Sequence, residues 1–260
     1  MLPISSTWRF IPPIEAAGAL QMAIDEWLLE QHRLGRQPSI LRFYTWNPPA
    51  ISLGYHQRRW ESHWSNMTWK GQRLDLVRRP TGGRAVLHQG DLTYAVISSN
   101  LSGRRAEIYR TLCQFLIEGW RSLGIPLHYG QAGRGYIHNP NCFGTATAAD
   151  LVLPNGTKLI GSAQLRRQQA ILQHGSMRLR PDPLLFEQVF GSALGEMVLP
   201  LRSPLPLTGE SLEQQVIAAL TTALQQHLDV RLVSQPLSAE EWQAVGDRAS
   251  RWTVNDAPVR

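Results

Sequence analysis

Three short strand-like segments joined by glycine-containing turns place the strongest limit on the fold of this chain. The first, residues 75–79, enters the loop Pro80-Thr81-Gly82-Gly83. The second, residues 84–88, leaves that loop, and the third, residues 92–98, follows one turn later. Short strand-like segments separated by glycine-containing turns are typical of β-hairpins. We therefore predict an antiparallel meander over residues 75–98.

Helical periodicity appears elsewhere in the chain. Apolar residues recur at helical spacing in four segments, and Ser211 and Gln214 have the spacing of a capping box. These four segments are residues 17–31, 106–123, 211–228 and 239–249. A shorter helix is predicted over residues 183–189. Cys113 lies beside the apolar stripe of the second helix, so we interpret it as a small core residue.

Further strands are predicted around a second turn signal. Asn155-Gly156 is a strong two-residue hairpin signal between residues 151–153 and 158–164, and residues 170–177 supply the next strand. The other predicted strands are residues 40–44, 50–53 and 231–233. Strand clusters interrupted by separate helices predict an α+β fold with mixed, largely antiparallel sheets flanked by helices.

Composition excludes several classes of protein. The chain has 260 residues, 43% of them hydrophobic, which is enough for a substantial core. We find no apolar run long enough for a membrane span and no secretory signal. The two cysteines do not form a disulfide framework, so the cytoplasm is the expected location.

The charge balance favours an acidic or phosphate-bearing partner. The net charge is +6, and of the 26 basic residues only Lys70 and Lys158 are lysines. A basic surface fits an acidic protein, a phosphate-bearing ligand or nucleic acid, although a solvated face is the simpler explanation for each arginine.

Cys142 is the candidate nucleophile. It lies in a loop rich in Gly, Asn, Ala and Thr, ahead of the predicted hairpin that carries Lys158. A nearby cation lowers the pKa of a thiol from about 8.5 and makes it a better nucleophile at neutral pH. The alternative is a buried, inert cysteine.

Two other segments could contact a ligand. In Arg78-Arg79-Pro80-Thr81-Gly82-Gly83-Arg84, adjacent glycines allow close approach to the backbone, and the arginines favour an anion. In Gly161-Ser162-Ala163, small residues leave room above the sheet for an extended chain. A plain hairpin turn and close strand packing are the respective alternatives.

Together these segments resemble the lipoate-protein ligase and octanoyltransferase superfamily. The resemblance covers about residues 8–190, and it is carried by the following motifs: Met22-Ala-Ile-Asp-Glu26, Leu41-Arg-Phe-Tyr-Thr-Trp46, Ile51-Ser-Leu-Gly-Tyr55, Arg78 to His88, Leu92-Thr-Tyr94, Lys158-Leu-Ile-Gly-Ser-Ala-Gln164 and Leu172-Gln-His-Gly-Ser176. It implies the fold of biotin protein ligases and class II aminoacyl-tRNA synthetases.

Within that superfamily the chain is most similar to the cysteine-dependent octanoyltransferases. The resemblance implies that Cys142 accepts an octanoyl group from octanoyl-acyl carrier protein, that Lys158 assists, and that a lysine of a glycine-cleavage H protein or an E2 lipoyl domain receives the group. It also implies a substrate-binding set, namely Arg79, Gly82, Gly83, His88, Gly161, Ser162, Gln164 and His174. No cofactor, metal, nucleic acid or membrane is expected.

Two alternatives stay open from sequence. An ATP-dependent lipoate or octanoate ligase would use ATP and Mg²⁺ to form an acyl-adenylate, but Gln89 stands where ligases commonly carry Asp. A non-catalytic binder of nucleic acid or of lipoylated domains would also suit the basic charge. We expect residues 1–200 to form the catalytic domain and residues 201–260 a C-terminal helical extension packed on the same domain.

Overall fold

A computed structural model describes residues 7–130, 149–194 and 211–255 of the chain. The α-helices in these ranges are α1 Gly18–Arg33, α2 Arg105–Ser122, α3 Pro183–Phe190, α4 Leu212–Leu228 and α5 Ala239–Ala249, and short 3-10 helices cover Ser62–Asn66 and Ser250–Trp252. The strands are β1 Thr7–Ala16, β2 Ile40–Trp46, β3 Ala50–Leu53, β4 Thr68–Trp69, β5 Gln72–Arg73, β6 Asp75–Arg78, β7 Val86–His88, β8 Asp91–Ser99, β9 His128–Tyr129, β10 Leu151–Val152, β11 Lys158–Arg167, β12 Ala170–Arg178 and β13 Arg231–Ser234. All five predicted helices are present, within two residues of their predicted ends.

The main sheet separates two helical layers. Its strand order in the described residues is β13-β1-β2-β8-β12-β11-β10-β9, with β1 parallel to both of its neighbours and the remaining pairs antiparallel. Successive residues of a strand point to opposite faces, so β8 contributes Tyr94 and Val96 to one core, and Ala95 and Ile97 to the other. Helices α2 and α4 cover the first face, and α1 and α5 cover the second. The predicted α+β class, with mixed and largely antiparallel sheets, is confirmed.

The predicted antiparallel meander is wrong. β6 and β7 do not pair with each other but lie on either side of β3, to which β6 is parallel and β7 antiparallel. The third segment, β8, leaves this small sheet and pairs with β2 and β12 in the main sheet. The change of sheet occurs at Gly90, which has a positive φ of 65° and lies against the carbonyl of Arg180. Sequence spacing suggested hairpins, but strands from distant parts of the chain supply the actual partners.

The sequence patterns also missed the first strand. β1 contains Pro12-Pro13, and its pairing with β2 changes register between Ile11 and Ile14. Proline lacks the amide donor that a ladder requires, so it lies where the pairing is interrupted. The predicted capping box of α4 is present: the Ser211 hydroxyl accepts from the amide of Gln214, and the Gln214 side chain accepts from the amide of Ser211.

The C-terminal elements pack on the main sheet. Leu220 of α4 lies against Gly119 of α2, where an added Cβ would come within 2.6 Å of the leucine side chain. The predicted domain boundary at residues 200 and 201 lies outside the described residues and stays a prediction. Within the described ranges, every helix is too short or too polar to cross a bilayer.

Candidate active site

A cavity of about 600 Å³ opens between the small sheet, the start of α2 and the paired strands β11 and β12. The structure brings Lys158 and the whole predicted substrate-binding set together at this cavity, since all of the following residues line it: Arg79, Gly82, Gly83, His88, Lys158, Gly161, Ser162, Gln164 and His174. These residues come from four separate parts of the chain. Their roles toward a substrate remain predictions.

The predicted nucleophile Cys142 lies outside the described residues. On either side of its segment, the amide of Gly130 donates to the carbonyl of Asp150 at 2.8 Å, next to the β9–β10 pair. Ala149 and Asp150 line the cavity. The described chain therefore reaches the cavity wall seven residues after Cys142.

Lys158 is buried and ion-paired. Its ammonium lies 2.9 Å from the carboxylate of Asp150, and both side chains are almost completely inaccessible to solvent. The guanidinium of Arg178 donates to the Lys158 carbonyl, which fixes the first residue of β11. Sequence reasoning selected Lys158 but missed its carboxylate partner, Asp150. The available signal was the position of Asp150, an acidic residue immediately before the apolar strand β10.

Arg79 holds the glycine loop in place. Its guanidinium donates to the carbonyls of Ser52, Gly82 and Arg84 at 2.7–3.1 Å, and the side chain is buried. Gly83 has a φ of 100°, a conformation that glycine adopts without strain. A Cβ on Gly54 would come within 1.8 Å of the Gly83 carbonyl oxygen. The loop that carries Gly82 and Gly83 is therefore tightly packed from two sides.

His174 links helix α1 to the same loop. One ring nitrogen, Nδ1, lies 2.8 Å from the Asp25 carboxylate, and the other, Nε2, lies 2.6 Å from the Thr81 hydroxyl. Asp25 also accepts from the guanidinium of Arg42 at 3.1 Å and from the hydroxyl of Tyr44 at 2.9 Å. The Met22–Glu26 motif contained Asp25, but sequence reasoning did not assign it a role, because only tertiary packing brings it to His174.

His88 has a parallel arrangement on the other side of the loop. Its Nδ1 lies 2.8 Å from the Asp91 carboxylate, its Nε2 lies 2.9 Å from the Ser52 hydroxyl, and its ring stacks on Trp46 at 3.8 Å. Burial lowers the pKa of His88, and the nearby Asp91 carboxylate only partly opposes that shift. The imidazole is therefore held in its neutral form at physiological pH.

Small residues of β11 and β12 line the cavity beside two tyrosines. The Tyr94 hydroxyl lies 2.8 Å from that of Ser162, and the Tyr109 hydroxyl donates to the carbonyl of Ala149 at 2.6 Å. A Cβ on Gly175 would come within 2.7 Å of the Tyr94 ring. Burial raises the pKa of both tyrosines, so they act as neutral hydrogen-bonding groups.

The second cysteine of the chain, Cys113, is a core residue. Cys113 is fully buried in α2, where it accepts from the Gln173 side chain at 3.3 Å. Burial raises the pKa of its thiol to about 12. The prediction that Cys113 is a core residue is confirmed. Gln164 lies on the same network, since its amide donates to Gln173 at 3.1 Å.

Comparisons with known proteins agree with this architecture. The family model of the lipoyl protein ligase A/B catalytic domain matches residues 17–237. Octanoyltransferase LipM of Anoxybacillus flavithermus is 40% identical over 194 residues, covering 70% of this chain and 69% of the relative. Octanoyltransferase LipM of Lysinibacillus sphaericus is 31% identical over 260 residues, covering 92% and 94%.

Solved structures show the same fold. A crystal structure of lipoate-protein ligase A bound with ATP superposes with a TM-score of 0.71 at 22% identity, covering 94% of this chain and 95% of that one. A bipartite lipoate protein ligase from Thermoplasma acidophilum, studied with its E2 lipoyl domain, gives 0.68 at 21% identity, covering 94% and 92%.

The chain belongs to the lipoyl protein ligase A/B catalytic domain family. Its relatives at 31–40% identity are octanoyltransferases, which confirms the predicted acyltransferase class and octanoyl transfer in lipoate biosynthesis. The ATP-dependent alternative is not favoured by these relatives.

Proposed function

We propose that this chain transfers an octanoyl group from octanoyl-acyl carrier protein to a lysine of a lipoyl-domain protein, through a thioester on Cys142. The observation that carries the proposal is the cavity that Lys158 and the predicted substrate-binding residues line together. The sequence identity of 31–40% between this chain and octanoyltransferases supports octanoyl as the group that is transferred. The role of Cys142 rests on its sequence motif.

The chemistry proceeds in two balanced steps. The Cys142 thiolate attacks the thioester carbonyl of the donor, the new carbon–sulfur bond forms, and the carrier thiolate leaves and takes up a proton. The ε-amine of the acceptor lysine then attacks octanoyl-Cys142, an amide bond forms, and the Cys142 thiolate leaves as the amine loses its proton. Thioester exchange followed by amide formation needs no ATP or Mg²⁺, so no cofactor enters either step.

Lys158 is the proposed assisting cation. Both steps pass through a tetrahedral oxyanion, which a buried ammonium can stabilise because water does not screen it there. Asp150 stabilises that ammonium in the cavity wall at 2.9 Å. Ala149, seven positions after Cys142 in the sequence, lines the cavity beside this ion pair.

The cavity suits a medium-length acyl chain. Its volume of about 600 Å³ falls in the range typical of small-molecule sites. Met22, Tyr44, Trp46 and Val86 give part of its lining an apolar character. Burying roughly seven CH₂ or CH₃ groups at about 0.8 kcal/mol each supplies a gross 5–6 kcal/mol.

Two protein partners follow from this reaction. Arg105 and Arg110 line the cavity from the exposed side of α2, and such cations favour an acidic carrier that bears a phosphate-linked thiol. The acceptor is a glycine-cleavage H protein or an E2 lipoyl domain, and the Thermoplasma ligase with the same fold has an E2 lipoyl domain as its partner. We place the reaction in the cytoplasm, where a free catalytic thiol stays reduced.

Intact-protein mass spectrometry tests the mechanism. The chain is mixed with octanoyl-acyl carrier protein without ATP, and we expect one octanoyl adduct that Cys142→Ser abolishes. Cys113→Ala is the matched control and should retain the adduct, because the Cys113 thiol is buried and protonated. An adduct that survives Cys142→Ser, or octanoyl-adenylate formation that requires ATP, would contradict the thioester mechanism.

A further inference from the structure

Helix α1 carries a buried carboxylate that points toward the glycine loop of the cavity. Asp25 has no solvent exposure and accepts hydrogen bonds from the side chains of Arg42, Tyr44 and His174 at 2.8–3.1 Å. Buried charges are costly unless they are paired and hydrogen-bonded, and Asp25 meets both conditions. Its position is therefore fixed by three partners on two strands of the main sheet.

The direction of the hydrogen bonds from Asp25 to the loop is determined by chemistry. An ionised carboxylate only accepts, so Nδ1 of His174 must carry the proton that faces Asp25. In the neutral imidazole with its proton on Nδ1, the Nε2 atom accepts, and the Thr81 hydroxyl at 2.6 Å is its donor. The carboxylate thus fixes the tautomer of His174, and the tautomer fixes the orientation of Thr81.

Thr81 begins the part of the loop that faces the cavity. Its carbonyl accepts from the amide of Tyr55 at 2.8 Å, while its hydroxyl is held by His174. The next two residues, Gly82 and Gly83, line the cavity. A shift of Thr81 would therefore move the backbone that the substrate meets.

The opposite side of the loop repeats the same order of groups. Asp91 holds Nδ1 of His88, and Nε2 of His88 lies 2.9 Å from the Ser52 hydroxyl. The guanidinium of Arg79 joins the two sides, since it donates to Ser52 and to the carbonyl of Gly82. One carboxylate–histidine–hydroxyl relay thus ends on the loop at Thr81, and the other reaches the loop through Ser52 and Arg79.

We infer that Asp25 and Thr81 are positioning residues for octanoyl transfer, and that His174 acts as the link between them rather than as a hydrogen-bonding partner of the substrate. The relay sets the position of the Gly82–Gly83 backbone at the cavity. This inference rests on octanoyl transfer by the chain but not on the identity of the nucleophile.

Thr81→Val is the sharpest test because it removes the hydroxyl and keeps the shape of the side chain. We expect a fall of about tenfold in kcat for octanoyl transfer to a lipoyl domain, with a smaller change in KM, since misplaced groups slow the reacting complex. Thr81→Ser should restore the rate. Thr222→Val, on the exposed surface of α4, is the matched control and should behave like the wild type.

Two measurements separate positioning from general stability. Thr81→Val combined with His174→Gln should be no slower than His174→Gln alone, because both changes break the same relay. Nitrogen-15 NMR of the wild-type imidazole should show the His174 proton on Nδ1. A kcat for Thr81→Val within about twofold of wild type, additive losses in the double variant or a proton on Nε2 with Nδ1 unprotonated would each overturn the inference.

These outcomes differ from failure of the proposed thioester mechanism. If Cys142→Ser still transfers octanoyl groups at the wild-type rate, the nucleophile is wrong while the Thr81 comparison keeps its meaning. If Cys142→Ser is inactive and Thr81→Val is fully active, the role of Cys142 as nucleophile is supported and the positioning role of Thr81 is rejected.

Discussion

Lys158 and Asp150 form an ion pair of 2.9 Å within the wall of the cavity, where both side chains are shielded from solvent. The other lysine of the chain, Lys70, also faces an aspartate, Asp182, but at 3.6 Å and with 75% of its side chain exposed. The two lysines therefore make the same kind of contact in opposite environments.

Removal of the buried ammonium should destabilise the protein strongly. We expect Lys158→Met to lower the free energy of unfolding by about 3–5 kcal/mol, because it takes the ammonium away from the buried Asp150 carboxylate. Lys70→Met is the matched control and should cost less than about 1 kcal/mol, since exposed ion pairs contribute little. Urea unfolding of both variants measures the difference, and equal losses would show that burial of the pair has no energetic consequence.

The same ion pair predicts non-additive substitutions. Asp150→Asn alone replaces the charged partner of the buried Lys158 ammonium with a neutral amide, so it should also be costly. The double variant with Lys158→Met should lose less stability than the sum of the two single losses. Additive losses in urea unfolding would indicate that the two groups do not interact.

Acid should destabilise the protein in part through His88. Burial lowers the pKa of this imidazole in the folded protein below the value of about 6.5 expected in the unfolded chain. Between these two pKa values the unfolded chain binds more protons than the folded protein, so acid favours unfolding. The stability contributed by neutral His88 is complete above about pH 6.5 and is lost as pH falls through that value. His88→Gln should flatten this part of the curve of unfolding free energy against pH. An unchanged slope would contradict the burial effect.

Cys113 should resist alkylation in the native protein. With its thiol pKa raised to about 12, roughly one molecule in ten thousand carries the thiolate at pH 8. Iodoacetamide treatment followed by peptide mapping should find Cys113 unmodified in the folded chain and fully modified in denaturant. Rapid native modification would mean that the α2 core opens readily.

Two glycine substitutions should have opposite effects on the stability of the protein. Gly54→Ala places a Cβ within 1.8 Å of the Gly83 carbonyl oxygen, so we expect a loss of about 1–3 kcal/mol and slower octanoyl transfer. Gly246→Ala, on the exposed side of α5 with nothing within 4 Å, should raise stability by about 0.5–1 kcal/mol. Thermal unfolding and transfer assays compare the two variants, and a neutral Gly54→Ala would mean that the loop has room to move.

Local patterns predicted most of the elements but few of their pairings. The helix α2 and the hairpin at Asn155-Gly156 depend on neighbouring residues, so periodicity and turn chemistry were sufficient. The meander prediction failed because β3, which precedes both strands in the sequence, lies between β6 and β7 and pairs with each of them. Pairing energy comes from contacts between distant segments, which local patterns do not encode.

For the site, residue type and motif identified Lys158, His88 and His174, and all three line the cavity. The carboxylates opposite them, on Asp150, Asp91 and Asp25, were not assigned. An isolated acidic residue in a sequence is usually a solvated one, and nothing local distinguishes a carboxylate that is buried against a cation.

The sequence by itself determined the family, the order and type of most elements, and the candidate nucleophile, because these depend on motifs and on contacts between near neighbours. Only the tertiary structure decided that Lys158 has a buried carboxylate partner and that His174 and His88 are hydrogen-bonded to the hydroxyls of Thr81 and Ser52. The two histidine–hydroxyl contacts join residues 93 and 36 positions apart, and the Lys158–Asp150 pair closes across the β10–β11 hairpin. Chain folding brings such groups within 3 Å, and the low polarity of the interior makes their pairing strong.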